Sequence, residues 1–157
     1  MHEKVTRRGL GLMLGSLGLS SMHAQTQKGG TSIHQEVDFK TTAQRIYETL
    51  LDAKQFSAFT KATAEIQPQP GGAFKLFGGA IEGRIVELVP NQRIVQAWRP
   101  AYWAPGVYSL VKFEFVAHGE GTRIVLDHTG FAEDKWEGFN TGWPARYWDP
   151  LHKFLNA

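Results

Sequence analysis

At 157 residues, with seventeen Lys and Arg against fifteen Asp and Glu, the chain holds one domain's worth of sequence at a formal charge of +2. It has no cysteine, which excludes disulfides, thiolate catalysis and cysteine-held zinc or iron–sulfur clusters. Ten Phe and five Trp are the compositional excess, and because such side chains bury much area each, an aromatic-rich core or pocket is expected.

Residues Met1–Ala24 have the three parts of a secretory signal peptide. Lys4, Arg7 and Arg8 come first, a soft apolar run from Gly9 to Leu19 follows, and polar and small residues lead to Ala24. The pair Arg7–Arg8 after Thr6, with Leu10 close behind, resembles a twin-arginine signal, as does the glycine content of the apolar run. Met22 is poorly suited to cleavage after Ala24, so a disordered arm or an uncleaved anchor is the alternative. Export places the mature chain in the periplasm or outside the cell, with no stable membrane insertion after processing. The leader carries three basic residues and one acidic one, so fourteen of each remain from Gln25 onward. The basic excess therefore belongs to the leader, and a neutral domain without a basic stripe is not expected to bind nucleic acid.

Residues 25–31 are polar and glycine-containing and read as a linker to a domain over 32–157. Ser32–Phe39 alternates in polarity, as a strand does. Thr41 or Thr42 is placed to cap a helix carrying Ile46, Tyr47, Leu50 and Leu51 at helical spacing. A second short helix is expected over Ala53–Phe59, presenting Phe56 and Phe59. From there the period changes to two. Strands are expected at Thr63–Gln67, Ala73–Phe77, Ala80–Val89, Arg93–Arg99, Val107–Ala117 and Thr122–Thr129. Gly78–Gly79 reads as a tight hairpin turn, and Pro100–Gly106 as a loop carrying Tyr102 and Trp103. Gly130–Phe139 is charged and without clear period. A last helix is expected from Asn140 or Thr141, with Trp143, Tyr147, Leu151 and Phe154 on one face and a kink or split just before Pro150.

A strand, two helices, about six consecutive strands and a long helix indicate an α+β fold with an antiparallel sheet. Such a curved sheet needs its concave face covered, and the aromatic face of the last helix is the cover. The runs Gly71–Gly79, Ile81–Pro90 and Ile94–Arg99, with Gly121-Thr122-Arg123-Ile124, Thr129-Gly130-Phe131 and Gly142-Trp143, resemble the activator of heat shock protein 90 ATPase homologue (AHSA-type) family. That resemblance spans about Ile33 to Phe154. It implies the START-like (SRPBCC) helix-grip fold, a curved antiparallel sheet covered by a long C-terminal helix. It also implies one of two roles, regulating a chaperone ATPase or binding an apolar small molecule between sheet and helix. The eukaryotic co-chaperone engages its chaperone with a further N-terminal domain that has no counterpart in these residues, and an exported protein does not meet a cytosolic chaperone. Fold alone does not choose between the roles.

Strand parity assembles a candidate binding face. Trp98 inward brings Gln96 and Ile94, and Phe113 inward brings Val111 and Phe115; Leu126 and His128 share a face with Ile124. With Phe74 from the sheet and Trp143 and Tyr147 from the cover helix, the candidate ligand-binding set is Phe74, Gln96, Trp98, Phe113, Phe115, Leu126, His128, Trp143 and Tyr147. It is apolar with a few polar groups, the usual make-up of a small-ligand pocket, and the same residues equally describe a filled core. The partner is then an apolar small molecule or a protein. His128 is the best candidate acid or base, although a lone His on an apolar face is more often a hydrogen-bonded core residue. His34, His118 and His152 show no metal-ligand spacing, so neither metal nor other cofactor is expected. Glu133, Asp134 and Glu137 read as a solvated acidic loop. Trp103, Pro105 and Tyr108 form an aromatic stretch suited to a rim or a partner contact. With no phosphate-binding glycine loop or nucleophile elbow, a non-enzymatic domain is expected. A chaperone ATPase-activating module is the alternative, and a cyclase- or hydrolase-like enzyme the last.

Overall fold

The computed structural model describes residues 29–156. The leader Met1–Ala24 and most of the linker lie outside the described residues. In chain order the elements are β1 (Ser32–Phe39), α1 (Ala43–Leu51), α2 (Ala53–Thr60), β2 (Glu65–Ile66), β3 (Ala73–Leu76), β4 (Ile81–Val89), β5 (Arg93–Pro100), β6 (Ser109–His118), β7 (Gly121–Thr129), α3 (Trp136–Trp143) and α4 (Asp149–Leu155). All pairings are antiparallel, in one seven-stranded sheet of order β1-β7-β6-β5-β4-β3-β2. The α+β helix-grip architecture expected from the element order is the one observed, an open curved sheet with helices on its concave face.

The two short helices form where side chains supply their caps. Thr42 accepts from the Arg45 N–H at 3.2 Å, and Asp52 from the Gln55 N–H at 2.8 Å. Ile46, Leu50, Phe56 and Phe59 are thereby turned onto the core. Alternation holds along every long strand: Ile94, Gln96 and Trp98 face inward, as do Val111, Phe113 and Phe115, and Ile124, Leu126 and His128. On the outer face Arg123 holds Asp38 through two hydrogen bonds of 2.7 and 2.9 Å and reaches Glu36 at 2.8 Å. A register shift between Ile85 and Glu87 leaves Val86 without a cross-strand partner, and such a bulge bends the sheet.

Several expectations are corrected. The strand at Thr63–Gln67 is only Glu65–Ile66, and the hairpin at Gly78–Gly79, which does join β3 to β4, turns through Phe77–Ala80 rather than through two residues, with positive φ at Phe77, Gly78 and Gly79. The last helix starts at Trp136, inside the stretch read as irregular, because Trp136 anchors it to the sheet through Nε1–H donated to the Ser32 carbonyl at 3.0 Å. The regular α-helix is interrupted just before Pro150, as expected, but the backbone stays right-handed helical through Trp148 and Asp149. The missing donor is accommodated by a π-helical stretch, Pro144–Trp148, in which the Asp149 N–H bonds the Pro144 carbonyl. The wider turn buries Tyr147 and Trp148 side by side.

Trp148 donates to the Gln35 amide oxygen at 2.7 Å, and His152 bonds the Asp38 carbonyl at 2.9 Å. With Trp136 on Ser32, the helical segment thus ties down the outer edge of β1 at three points, which protects an edge strand from stray pairing. At the other end of the sheet, Gly83 is required. A Cβ there would lie 2.6 Å from the Phe74 ring and 1.9 Å from the Ala97 carbonyl oxygen. Gly83→Ala is expected to lower stability by about 3 kcal/mol or more in urea unfolding, whereas Gly79→Asn, in an open turn, is expected to cost under about 1 kcal/mol.

Candidate functional site

Helices cover the concave face unevenly. Under the β6–β7 half, α3 and the π-helical stretch press Trp143 and Trp148 against Phe113, with ring centroids 5.8 and 6.4 Å away. Phe131 and Phe139 both stand 4.8 Å from the His128 ring. Under the β4–β5 half the cover stops short and leaves a cleft of about 480 Å³, within the range of ligand pockets. Phe77, Ile81, Trp98, Trp143 and Tyr147 form its apolar walls; Tyr102, Asp134, Lys135 and Arg146 stand around it.

The candidate residues divide between the two halves. Trp98, Trp143 and Tyr147 line the cleft. Phe74, Gln96, Phe113, Phe115, Leu126 and His128 do not; they are buried in the filled core. Both alternatives left open by parity are therefore present, in different halves of one face. Lining residues outside the candidate set include Phe77, Ile81, Phe139, Lys135 and Arg146. Phe77 was not foreseen because it leaves strand geometry, at φ 53, and turns its ring onto Tyr147 at 5.5 Å. Phe139 and Lys135 sit at a helical start that was set too late, while Arg146 lies within the expected helix.

His128 is fully buried and belongs to a chain of hydrogen bonds that fixes its chemistry. The Trp143 indole N–H, which can only donate, donates to His128 Nδ1 at 3.2 Å. The ring is therefore the Nε2–H tautomer, and Nε2–H donates to Ser109 Oγ at 2.8 Å. Ser109 in turn donates to the Trp98 carbonyl at 2.8 Å. Every member is satisfied, and the chain joins α3 to β7, β6 and β5. Burial among aromatic rings pushes the His128 pKa down to about 3. Neither ring nitrogen is free to meet a substrate. Ser109, absent from the candidate set, shares the parity of Val111 and was legible on that ground.

Next to this satisfied chain, β5 carries three buried polar atoms without partners: Gln96 Oε1, Trp98 Nε1 and Arg99 Nε. Each such atom costs about 1–3 kcal/mol in desolvation. Burial pushes the Tyr147 phenol up, and the neighbouring Trp98 N–H, which meets no acceptor in hydrogen-bonding geometry, opposes that push only in part. Tyr147 stays protonated, and thus a donor. Arg99 is otherwise well used. Its guanidinium bonds Glu82 and the Trp103 and Ala104 carbonyls and lies 5.8 Å from the Tyr108 ring centre, so a buried cation pins the loop after β5. On that loop Tyr102 is 74% exposed and Tyr108 45%. Among the described residues no cluster of His, Asp and Glu could hold a metal ion, and no helix is long and apolar enough to cross a membrane. Glu133 and Asp134, on a 3-10 turn over Glu133–Lys135, are exposed, with Asp134 paired to Lys135 at 2.8 Å.

Unfolded chains take up a proton on this histidine near pH 6.5, the folded protein only near pH 3. The stabilisation is complete above pH 6.5 and is lost as pH falls through that window, at up to about 1.4 kcal/mol per pH unit. His34, raised by its bond to Asp127, acts in the opposite sense but is exposed and contributes little. Urea unfolding at pH 7 and pH 4.5 is expected to show wild type losing about 2–3 kcal/mol. His128→Gln, whose amide can accept and donate in the same places, is expected to start about 1–3 kcal/mol lower and to lose clearly less over the same interval.

The family model described as "Activator of Hsp90 ATPase homolog 1-like protein" matches residues 40–156. Among curated proteins, the chain is similar to activator of 90 kDa heat shock protein ATPase homolog 2 from Mus musculus, at 29% identity over 79% of this chain and 38% of that protein. It is also similar to the activator of 90 kDa heat shock protein ATPase homolog from Dictyostelium discoideum, at 31% identity over 74% of this chain and 31% of that one. The chain thus spans about a third of the length of these relatives. Among solved structures, an HSP90 activator from Plasmodium falciparum superposes with a TM-score of 0.74 at 23% identity, over 81% of this chain and 97% of that one, a likeness of fold. By the family match over most of its length, the chain belongs to the Activator of Hsp90 ATPase homolog 1-like family.

Proposed function

We propose that this domain is a partner-binding module that stimulates the ATPase of an Hsp90-type chaperone. Family membership supports this reading, since the named relatives are activators of that ATPase. The observation that carries it is the pairing of a locked interior with a pinned aromatic loop. His128, the single buried histidine among the described residues, has both nitrogens committed, whereas Tyr102 and Tyr108 stand exposed on a loop held from beneath by buried Arg99. Exposed tyrosines on a rigid support offer large contact area at small entropic cost, as hot spots of protein interfaces do. No step of this reading needs catalysis by the domain itself.

A second reading is favoured by the cleft and by the leader-like Met1–Ala24: an exported domain that binds an apolar small molecule between sheet and C-terminal helix in the periplasm or outside the cell. A cytosolic chaperone is then out of reach.

Two measurements separate these readings. Added in excess to an Hsp90-type chaperone from the same source, the purified chain is expected to raise ATP turnover, and the Tyr102→Ala/Tyr108→Ala double variant to lose most of that gain while unfolding at the same urea concentration. No stimulation at saturation defeats the chaperone reading. Fractionation of the full-length chain tagged at its C-terminus is expected to find it with the chaperone. A product cut near Ala24 and recovered outside the cytosol would instead establish export.

A further inference from the structure

We propose that the cleft is a binding site for an amphipathic carboxylic acid whose apolar body carries a hydrogen-bond acceptor oxygen, with the carboxylate at Arg146 and the acceptor at the Trp98 and Tyr147 donors. The proposal rests on the second reading above and names the ligand class that reading leaves open. Three observations, independent of one another, support it.

The first is room kept open. Gly138 and Gly142, four residues apart on one face of α3, both line the cleft, and a Cβ on either would meet nothing within 4 Å. Glycine inside a helix costs about 1 kcal/mol relative to alanine. Neither glycine avoids a clash or carries a positive φ, so fold stability does not call for them. What they preserve is the width of the cleft.

The second is an unpartnered donor in the wall. The Trp98 side chain is buried, at 4% exposure, and its N–H has no acceptor. Beside it the Tyr147 hydroxyl remains a donor. A buried donor without an acceptor calls for a ligand oxygen, since an acceptor held there removes its desolvation cost, and the Tyr147 hydroxyl lines the same cleft. The third is charge. Lys135 is neutralised by Asp134, while Arg146 is exposed and forms no ion pair among the described residues. A carboxylate at the mouth completes that guanidinium and stays near water, where burying an ion costs least. Between the two polar ends the walls are aromatic and aliphatic and suit a flat apolar body.

The test uses two probes of the same shape, 6-acetyl-2-naphthoic acid and 6-isopropyl-2-naphthoic acid, titrated into the 15N-labelled protein with the Trp98 indole signal assigned through Trp98→Phe. Both are expected to bind, the acetyl compound about tenfold more tightly, and only that compound is expected to move the Trp98 N–H signal downfield. Tyr147→Phe is expected to remove most of the difference between them, and Arg146→Gln to weaken both by about fivefold. Gly142→Leu, which fills the cleft from a position free of contacts, is expected to abolish binding without lowering the unfolding midpoint. Equal affinities for the two probes would overturn the acceptor assignment while leaving a ligand cleft in place. Unchanged affinity in Arg146→Gln would overturn the carboxylate assignment. Binding of neither probe at millimolar concentration, or binding retained by Gly142→Leu, would overturn the cleft as a ligand site, and with it the second reading.

Discussion

The hydrogen bond from the Trp143 indole to His128 Nδ1 is the constraint on which the remaining architecture depends. It joins the helical cover to the sheet at a point with no access to water, and it dictates the tautomer of the histidine. That tautomer dictates the direction of every later bond, through Ser109 to the Trp98 carbonyl. An interior built from stacked rings alone would slide easily, because aromatic contacts tolerate many offsets. A buried polar chain with all members satisfied does not, since each alternative position leaves a donor unpaired. Such a chain gives register to the cover helix in the dry interior, while the ties from Trp136, Trp148 and His152 hold it along β1.

Fixing the cover over β6 and β7 leaves β4 and β5 partly uncovered. The π-helical stretch sharpens this division. It turns Trp148 towards Gln35 at one edge of the sheet and Tyr147 towards Phe77 at the other. One side of Trp98 is therefore held by the closed half, through its carbonyl and through stacking on Trp143 at 5.9 Å, while another part of the same residue walls the cleft. Whatever enters the cleft meets a wall whose position the buried chain has already set. The loop pinned by Arg99 borders the same cleft through Pro100 and Tyr102, so the two candidate surfaces are neighbours.

Much of this was legible in the sequence, for identifiable reasons. Alternation runs along β5 as far as Trp98 and along β6 and β7, so the inward set from Ile94 to His128 follows from parity, as do the seven strands and the α+β class. Residue order also indicates a cover helix bearing Trp143 and Tyr147. Periodicity cannot say how far along the sheet that helix reaches, and this alone decides whether Gln96 and His128 meet a ligand or a neighbouring side chain. The start of α3 was hidden because Gly138 and the charges around it break the apolar period, while the tie from Trp136 to Ser32 is tertiary. Pro150 marked where the regular helix is interrupted but not the form of the interruption. The cost of a proline in a regular helix is local, and the wider turn before it was selected by the burial of Tyr147 and Trp148. Phe77 escaped because two glycines beside it looked sufficient for the turn, yet the aromatic residue itself takes the left-handed conformation.

The most direct test of the account is the protonation of the His128 ring, read by long-range 1H–15N correlation at pH 5. A dry, fully bonded chain predicts a neutral imidazole with the proton on Nε2 and Nδ1 bare, although an exposed histidine at that pH is charged. An imidazolium, or a proton on Nδ1, would show that Trp143 does not donate to His128 and that the helix is not locked to the sheet there. The division into a closed and an open half would fall with it.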